Sequence, residues 1–123
     1  MSIGNEPALR QVDALQLLLN PDEHSVAPLA AATATAPIGE SFGLDLGVWE
    51  MTAGSMDDCE VDESFIVLSG RATVHVHEDN GFPATEIELG PGTVARLFKG
   101  MRTTWIAHTS LRKIYLMPQG RTE

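Results

Sequence analysis

From residue 42 onward, hydrophobic and polar positions alternate in short runs separated by turn residues. Phe42, Leu44, Leu46 and Val48 alternate with Gly43, Asp45 and Gly47, the two-residue period of a strand with one buried face. Residues 61–68 predict a second strand, stopped by Ser69-Gly70. Ala72, Val74 and Val76 alternate with Thr73, His75 and His77 in a third. Asp79-Asn80-Gly81 then signals a hairpin, because Asn and Gly tolerate the positive φ that a tight turn needs. The returning run has Ile87 and Leu89 on one face and Glu86 and Glu88 on the other. After Gly90-Pro91-Gly92, residues 94–98, 102–107 and 111–117 complete the series. Short strands at even spacing, without intervening helices, predict an all-β antiparallel sandwich or barrel.

The first forty residues read differently. Leu9, Val12, Leu15, Leu18 and Leu19 fall near the helical period, and Asn20-Pro21 provides a stop, so a short amphipathic helix is expected within residues 6–19. Residues 25–37 are rich in Ala, Thr and Pro and read as an extended arm. The chain therefore divides into an N-terminal helix and arm over residues 1–40 and a β-barrel domain over residues 41–123. Within a total of 123 residues there is room for a single modest core.

Charge narrows the partners. A formal net charge of −9 repels phosphate backbones, and no Lys/Arg cluster interleaved with aromatics offsets it, so nucleic acid is not expected. The apolar stretches are too short to cross a bilayer, and the N-terminus lacks a signal-peptide pattern. A single cysteine, Cys59, fits a reducing, cytoplasmic setting.

Two glycine-ended blocks carry a resemblance. One runs from Glu63 to Gly70 (E-S-F-I-V-L-S-G). The other runs from Gly92 to Phe98, then Lys99-Gly100 and Met101-Arg102-Thr103. In order and separation they resemble the two cupin motifs. With Thr104-Trp105, the run from Leu111 to Tyr115 and Gly47-Val48-Trp49-Glu50, the chain is similar to small single-domain cupins of the (S)-ureidoglycine aminohydrolase-like family. The resemblance covers residues 42–117 and implies a double-stranded β-helix, the cupin jelly-roll barrel.

It also implies where a metal would be held. Metal-binding cupins supply two histidines and an acidic ligand from the first motif and a third histidine from the second. Here the acidic position is Glu63, the paired histidine positions fall on Asp57 and Cys59, and the third falls on Thr103. Asp57, Cys59 and Glu63 remain a candidate O,S,O set for a divalent transition metal, with zinc favoured by the thiolate. With every histidine replaced, little tightly bound metal is expected and no cofactor is required. His75-Val76-His77 presents two imidazoles on one strand face, but Glu86 and Glu88 on the returning strand offer surface partners, and pairing across the strands explains the pattern. The acidic neighbours of Cys59 argue against a reactive thiolate.

By strand parity Glu63 shares a face with Phe65, and Thr103 with Trp105. If those faces line the barrel, they form a small-molecule pocket, with Tyr115 as a further wall and Arg96 and Arg102 flanking the mouth. The expected function is small-molecule binding in the barrel, with Glu63 as the acid/base if the protein is catalytic. The alternative is a non-catalytic binding or dimerisation module. The arm, over residues 25–40, is expected to support a two-fold homodimer.

Overall fold

The computed structural model describes residues 11–23 and 31–119. Ten strands follow one another: β1 (Asn20–Pro21), β2 (Thr33–Ser41), β3 (Leu44–Met51), β4 (Gly54–Cys59), β5 (Glu63–Ser69), β6 (Ala72–Val76), β7 (Thr85–Leu89), β8 (Val94–Leu97), β9 (Arg102–Ala107) and β10 (Leu111–Pro118). They form a six-stranded sheet in the order β1-β2-β3-β10-β5-β8 and a four-stranded sheet in the order β4-β9-β6-β7. Every pairing is antiparallel.

Alternation explains the layers. Phe65 and Val67 of β5, Met51 of β3 and Leu111 of β10 point from the large sheet toward Val74 of β6 and Trp105 and Ala107 of β9 on the small one. These contacts are almost wholly buried, and each large side chain removed from water contributes about 1.5–3 kcal/mol. The expected hairpin is present: Asn80 and Gly81 have φ of 53° and 86°, and Asp79 and Phe82 exchange backbone hydrogen bonds of 3.2 and 2.8 Å.

Two expectations need correction. The barrel is not closed by hydrogen bonds: among the described residues β1, β8, β4 and β7 are the outermost strands, with Ala31 donating to Ser55 of β4 at 3.1 Å, and the two sheets pack face to face through their side chains. The N-terminal helix is absent over its described part, residues 11–19, where there is only a turn at residues 14–16; residues 6–10 lie outside the described residues. The reason is competition for the backbone groups. Asp13 accepts the Leu15 amide at 3.1 Å, and Arg112 of β10 donates to the carbonyls of Ala14 and Leu17 at 2.8 and 3.0 Å, groups a helical ladder would use. Burial does not favour a helix either, since Val12, Leu15 and Leu18 remain exposed. Within the described part of the arm, β2 pairs with β3 of its own chain from Thr33↔Met51 to Ser41↔Leu44.

Candidate functional site

A cavity of about 390 Å³ opens between the sheets at the end where β4 runs toward β5. From the large sheet it is lined by Thr35, Trp49, Glu63, Lys113 and Tyr115. From the small sheet and the turn after it come Met56, Asp58, Glu60 and Trp105. Register explains why they meet. Lys113 lies opposite Trp49 on one side and Val67 on the other, with Tyr115 opposite Phe65, so the inward parity of β10 carries Leu111, Lys113 and Tyr115. On β4, Met56 pairs with Trp105 and Asp58 with Thr103, which turns those two inward.

At the floor, Lys113 Nζ meets Glu63 Oε2 at 2.5 Å, with both side chains about 95% buried (6% and 5% exposed). The ammonium also lies 4.7 Å from the ring centre of Trp49, 4.5 Å from Phe65 and 4.9 Å from Trp105. Those rings stack edgewise and tilted, with Trp49–Trp105 centres 5.8 Å apart and Phe65–Trp105 centres 5.7 Å apart. The cation thus has a carboxylate and three quadrupolar faces around it in place of bulk water.

Beside this pair, Glu60 is buried and accepts from the Thr103 hydroxyl at 2.6 Å and the Trp105 indole N–H at 3.0 Å, both at Oε2. Its backbone is fixed by bonds to Met101 and Gly100. Burial pushes the Glu60 carboxyl above its ordinary 4.5, with the charge of Asp58 adding to the rise; the Thr103 and Trp105 donors and Lys113 oppose it without cancelling it. Asp58 stands at the rim. The residue is solvent-exposed, yet desolvation of its carboxyl raises its pKa too, against the Cys59 amide that donates to it at 2.8 Å. Tyr115 is likewise raised, first by burial and then by the charges of Asp45, Glu63 and Asp22.

The structure brings Glu63, Trp105 and Tyr115 to the cavity wall and sets Phe65 and Thr103 directly behind it. Arg96 lies outside, paired with Asp62 at 3.3 Å and stacked over Phe98, and Arg102 pairs with Asp79 at 2.9 Å. Asp57 and Cys59 reach only the rim of the cavity: Asp57 accepts from Thr104 at 2.6 Å, and Cys59 is exposed opposite Arg102. His75 pairs with Glu86 across the strands at 3.5 Å, and His77 bonds Thr104 at 2.7 Å. Sequence reasoning passed over Glu60, Lys113 and Trp49. The signal for Lys113 was its parity: a lysine between Leu111 and Tyr115 on one face of an apolar strand points inward.

The EutQ-like cupin domain family matches residues 38–115. The chain belongs to that family. Solved structures share the cupin fold at low identity. The Clostridium difficile EutQ protein is 18% identical, with 83% of this chain and 82% of that one covered at a TM-score of 0.61. A Rhizobium leguminosarum bv. viciae 3841 protein of unknown function is 22% identical, over 91% and 98% of the two chains at 0.62. The polyketide cyclase RemF from Streptomyces resistomycificus is 16% identical, over 94% and 83% at 0.64. No curated protein matches the sequence. Membership as a cupin thus agrees with the sequence reading, while the ureidoglycine aminohydrolase-like assignment within the cupins is not what the match shows.

The metal that many cupins hold can be tested against this cupin's residues. Glu63 Oε2, the acidic position of the first motif, is taken by Lys113, while Asp57, bonded to Thr104, and the exposed Cys59 stay at the cavity rim and do not converge with it. Among the described residues no three His, Cys, Asp or Glu side chains are grouped so as to hold an ion. The donor set does not fit a metal.

Proposed function

We propose that this cupin binds a small molecule in the cavity between its sheets, using the buried Lys113–Glu63 pair where other cupins use a metal. The observation that carries this reading is Lys113 Nζ at 2.5 Å from Glu63 Oε2, ringed by Trp49, Phe65 and Trp105 at the floor of an open cavity. A cavity of about 390 Å³ with aromatic walls and a few convergent polar groups is the usual form of a ligand site. Its chemistry, if it turns a substrate over, is proton transfer. Glu60, pushed up by burial, supplies the acid, and Glu63 accepts the proton. A hydrolysis of the ureidoglycine aminohydrolase kind would draw on the same two carboxyl groups.

Thr35→Trp tests the site by filling the mouth from β2 without touching the charged floor. A small molecule that raises the Tm of the wild-type protein is expected to lose that effect in the blocked variant. Equal stabilisation of both would place binding elsewhere and end this reading. Association belongs to the same proposal: among the described residues, β1 and Asp22 cover β2 at residues 33–35, which leaves residues 36–41 as an edge on which a second copy can pair.

A further inference from the structure

Two carboxyl oxygens of the floor are free to face the cavity. Glu60 accepts both of its hydrogen bonds at Oε2, and Glu63 meets Lys113 through Oε2. Among the described residues no hydrogen bond ends on either Oε1, no side-chain oxygen is buried without a partner, and both residues line the cavity, which leaves these two oxygens available to what fills it. We propose that the ligand is a small organic cation, a protonated amine or guanidine, that seats its charge on Glu60 Oε1 and Glu63 Oε1 and its apolar part on Trp49, Trp105 and Tyr115. This rests on the small-molecule reading and names the ligand class for the same site.

The sign follows from what each charged group still offers. Lys113 already meets Glu63 and three ring faces, and the carboxyl groups on the cavity outnumber it, so the floor and rim oppose an anion and favour a cation. A carboxylate accepts at both oxygens, so Glu63 can bridge Lys113 on one side and a ligand cation on the other. The rim repeats the sign, with Asp57 and Asp58 beside the mouth, and the whole chain carries −9, which draws cations toward it. Trp49, Trp105 and Tyr115 give the cation aromatic walls and the alkyl part a dry surface.

Protonation couples to this binding. The titratable and charged groups on the cavity are Asp57, Asp58 and Cys59 from β4, Glu60 after it, Glu63 from β5, and Lys113 and Tyr115 from β10. Glu60 and Asp58 both titrate above their ordinary values, and a cation binds their ionised forms; the Tyr115 phenol moves upward, away from that range. Affinity for a cation should therefore fall as pH drops through the Glu60 titration, by about tenfold per pH unit for one coupled proton.

The test is thermal unfolding of the full chain with four probes of similar size: n-butylammonium, n-butylguanidinium, 1-butanol and butyrate, at matched ionic strength. The two cations should raise Tm by several degrees once about tenfold above Kd, with a smaller shift at lower pH, and the alcohol and butyrate should not. Glu60→Gln keeps the acceptor for Thr103 and Trp105 while removing the charge, so it should fold and lose at least about tenfold in cation affinity. Stabilisation by butyrate or butanol alone, abolished by Thr35→Trp, would overturn the cation assignment while leaving the pocket standing. Equal cation binding by Glu60→Gln, or no shift with either cation, would overturn it as well. If a broad set of neutral and charged small molecules also failed to shift Tm, the small-molecule reading would fall with it.

Discussion

Lys113 and Glu63 are each out of water, and their attraction has to offset the desolvation of both. The three rings supply part of that compensation, so removing one member is worse than removing both. Lys113→Met keeps the volume but leaves Glu63 buried and unpaired, and should cost about 3–5 kcal/mol in urea unfolding. Lys113→Met with Glu63→Gln should recover most of that loss. A double variant as unstable as the single would show that the pair is not the reason. Glu60 makes a second prediction. Its pKa is higher folded than unfolded, so the folded state holds more protons as pH rises above 4.5, and stability must fall through the window up to the raised value. Glu60→Gln removes this dependence; wild type and variant should diverge with rising pH, and parallel Tm profiles would contradict the assignment. Of this site, Glu63, Trp105 and Tyr115 were legible in the sequence because strand parity places them. Glu60 was not, because it follows β4 at a turn where parity no longer applies, and its role depends on Thr103 and Trp105 from β9.

At the scale of elements, alternation carried the reading wherever one face is buried and the other wet. β6 is the clearest case, with Ala72, Val74 and Val76 buried as expected, and its turn to β7 is fixed by Asn80 and Gly81. β4 was hidden because its residues, Gly54–Cys59, carry carboxylates on both faces: Asp57 bonds Thr104 outside while Asp58 reaches the cavity. The first helix failed for a non-local reason, the hydrogen bonds that Arg112 makes to Ala14 and Leu17 from far along the chain. Glycine positions separate in the same way. Gly70 has φ +92°, and a Cβ there would strike the Ser110 carbonyl and Leu111, whereas Gly81 has φ +86° with open space around it. Gly81→Ala should cost about 1–2 kcal/mol for the left-handed backbone alone. Gly70→Ala should cost clearly more, since β5 and β10 must also part. Equal losses of Tm would refute the close approach.

For the whole molecule, two open sheets leave edges that closure would have removed, and β2 adds one over residues 36–41, beyond its pairing with β1 among the described residues. Ile38 is exposed on it, and Phe42 stands almost fully exposed in the turn beyond. Light scattering should find a dimer for the full chain, and Ile38→Lys should shift it toward monomer by charging the edge. A monomeric wild type would end the association proposal without touching the cavity. The central claim, a cupin whose Lys113 ammonium stands at Glu63 where a metal would, is tested most directly by elemental analysis of the full chain purified without added metal or chelator. The account predicts transition-metal content far below one ion per chain. Near-stoichiometric zinc, manganese, iron or nickel that is lost in Glu63→Ala would contradict it.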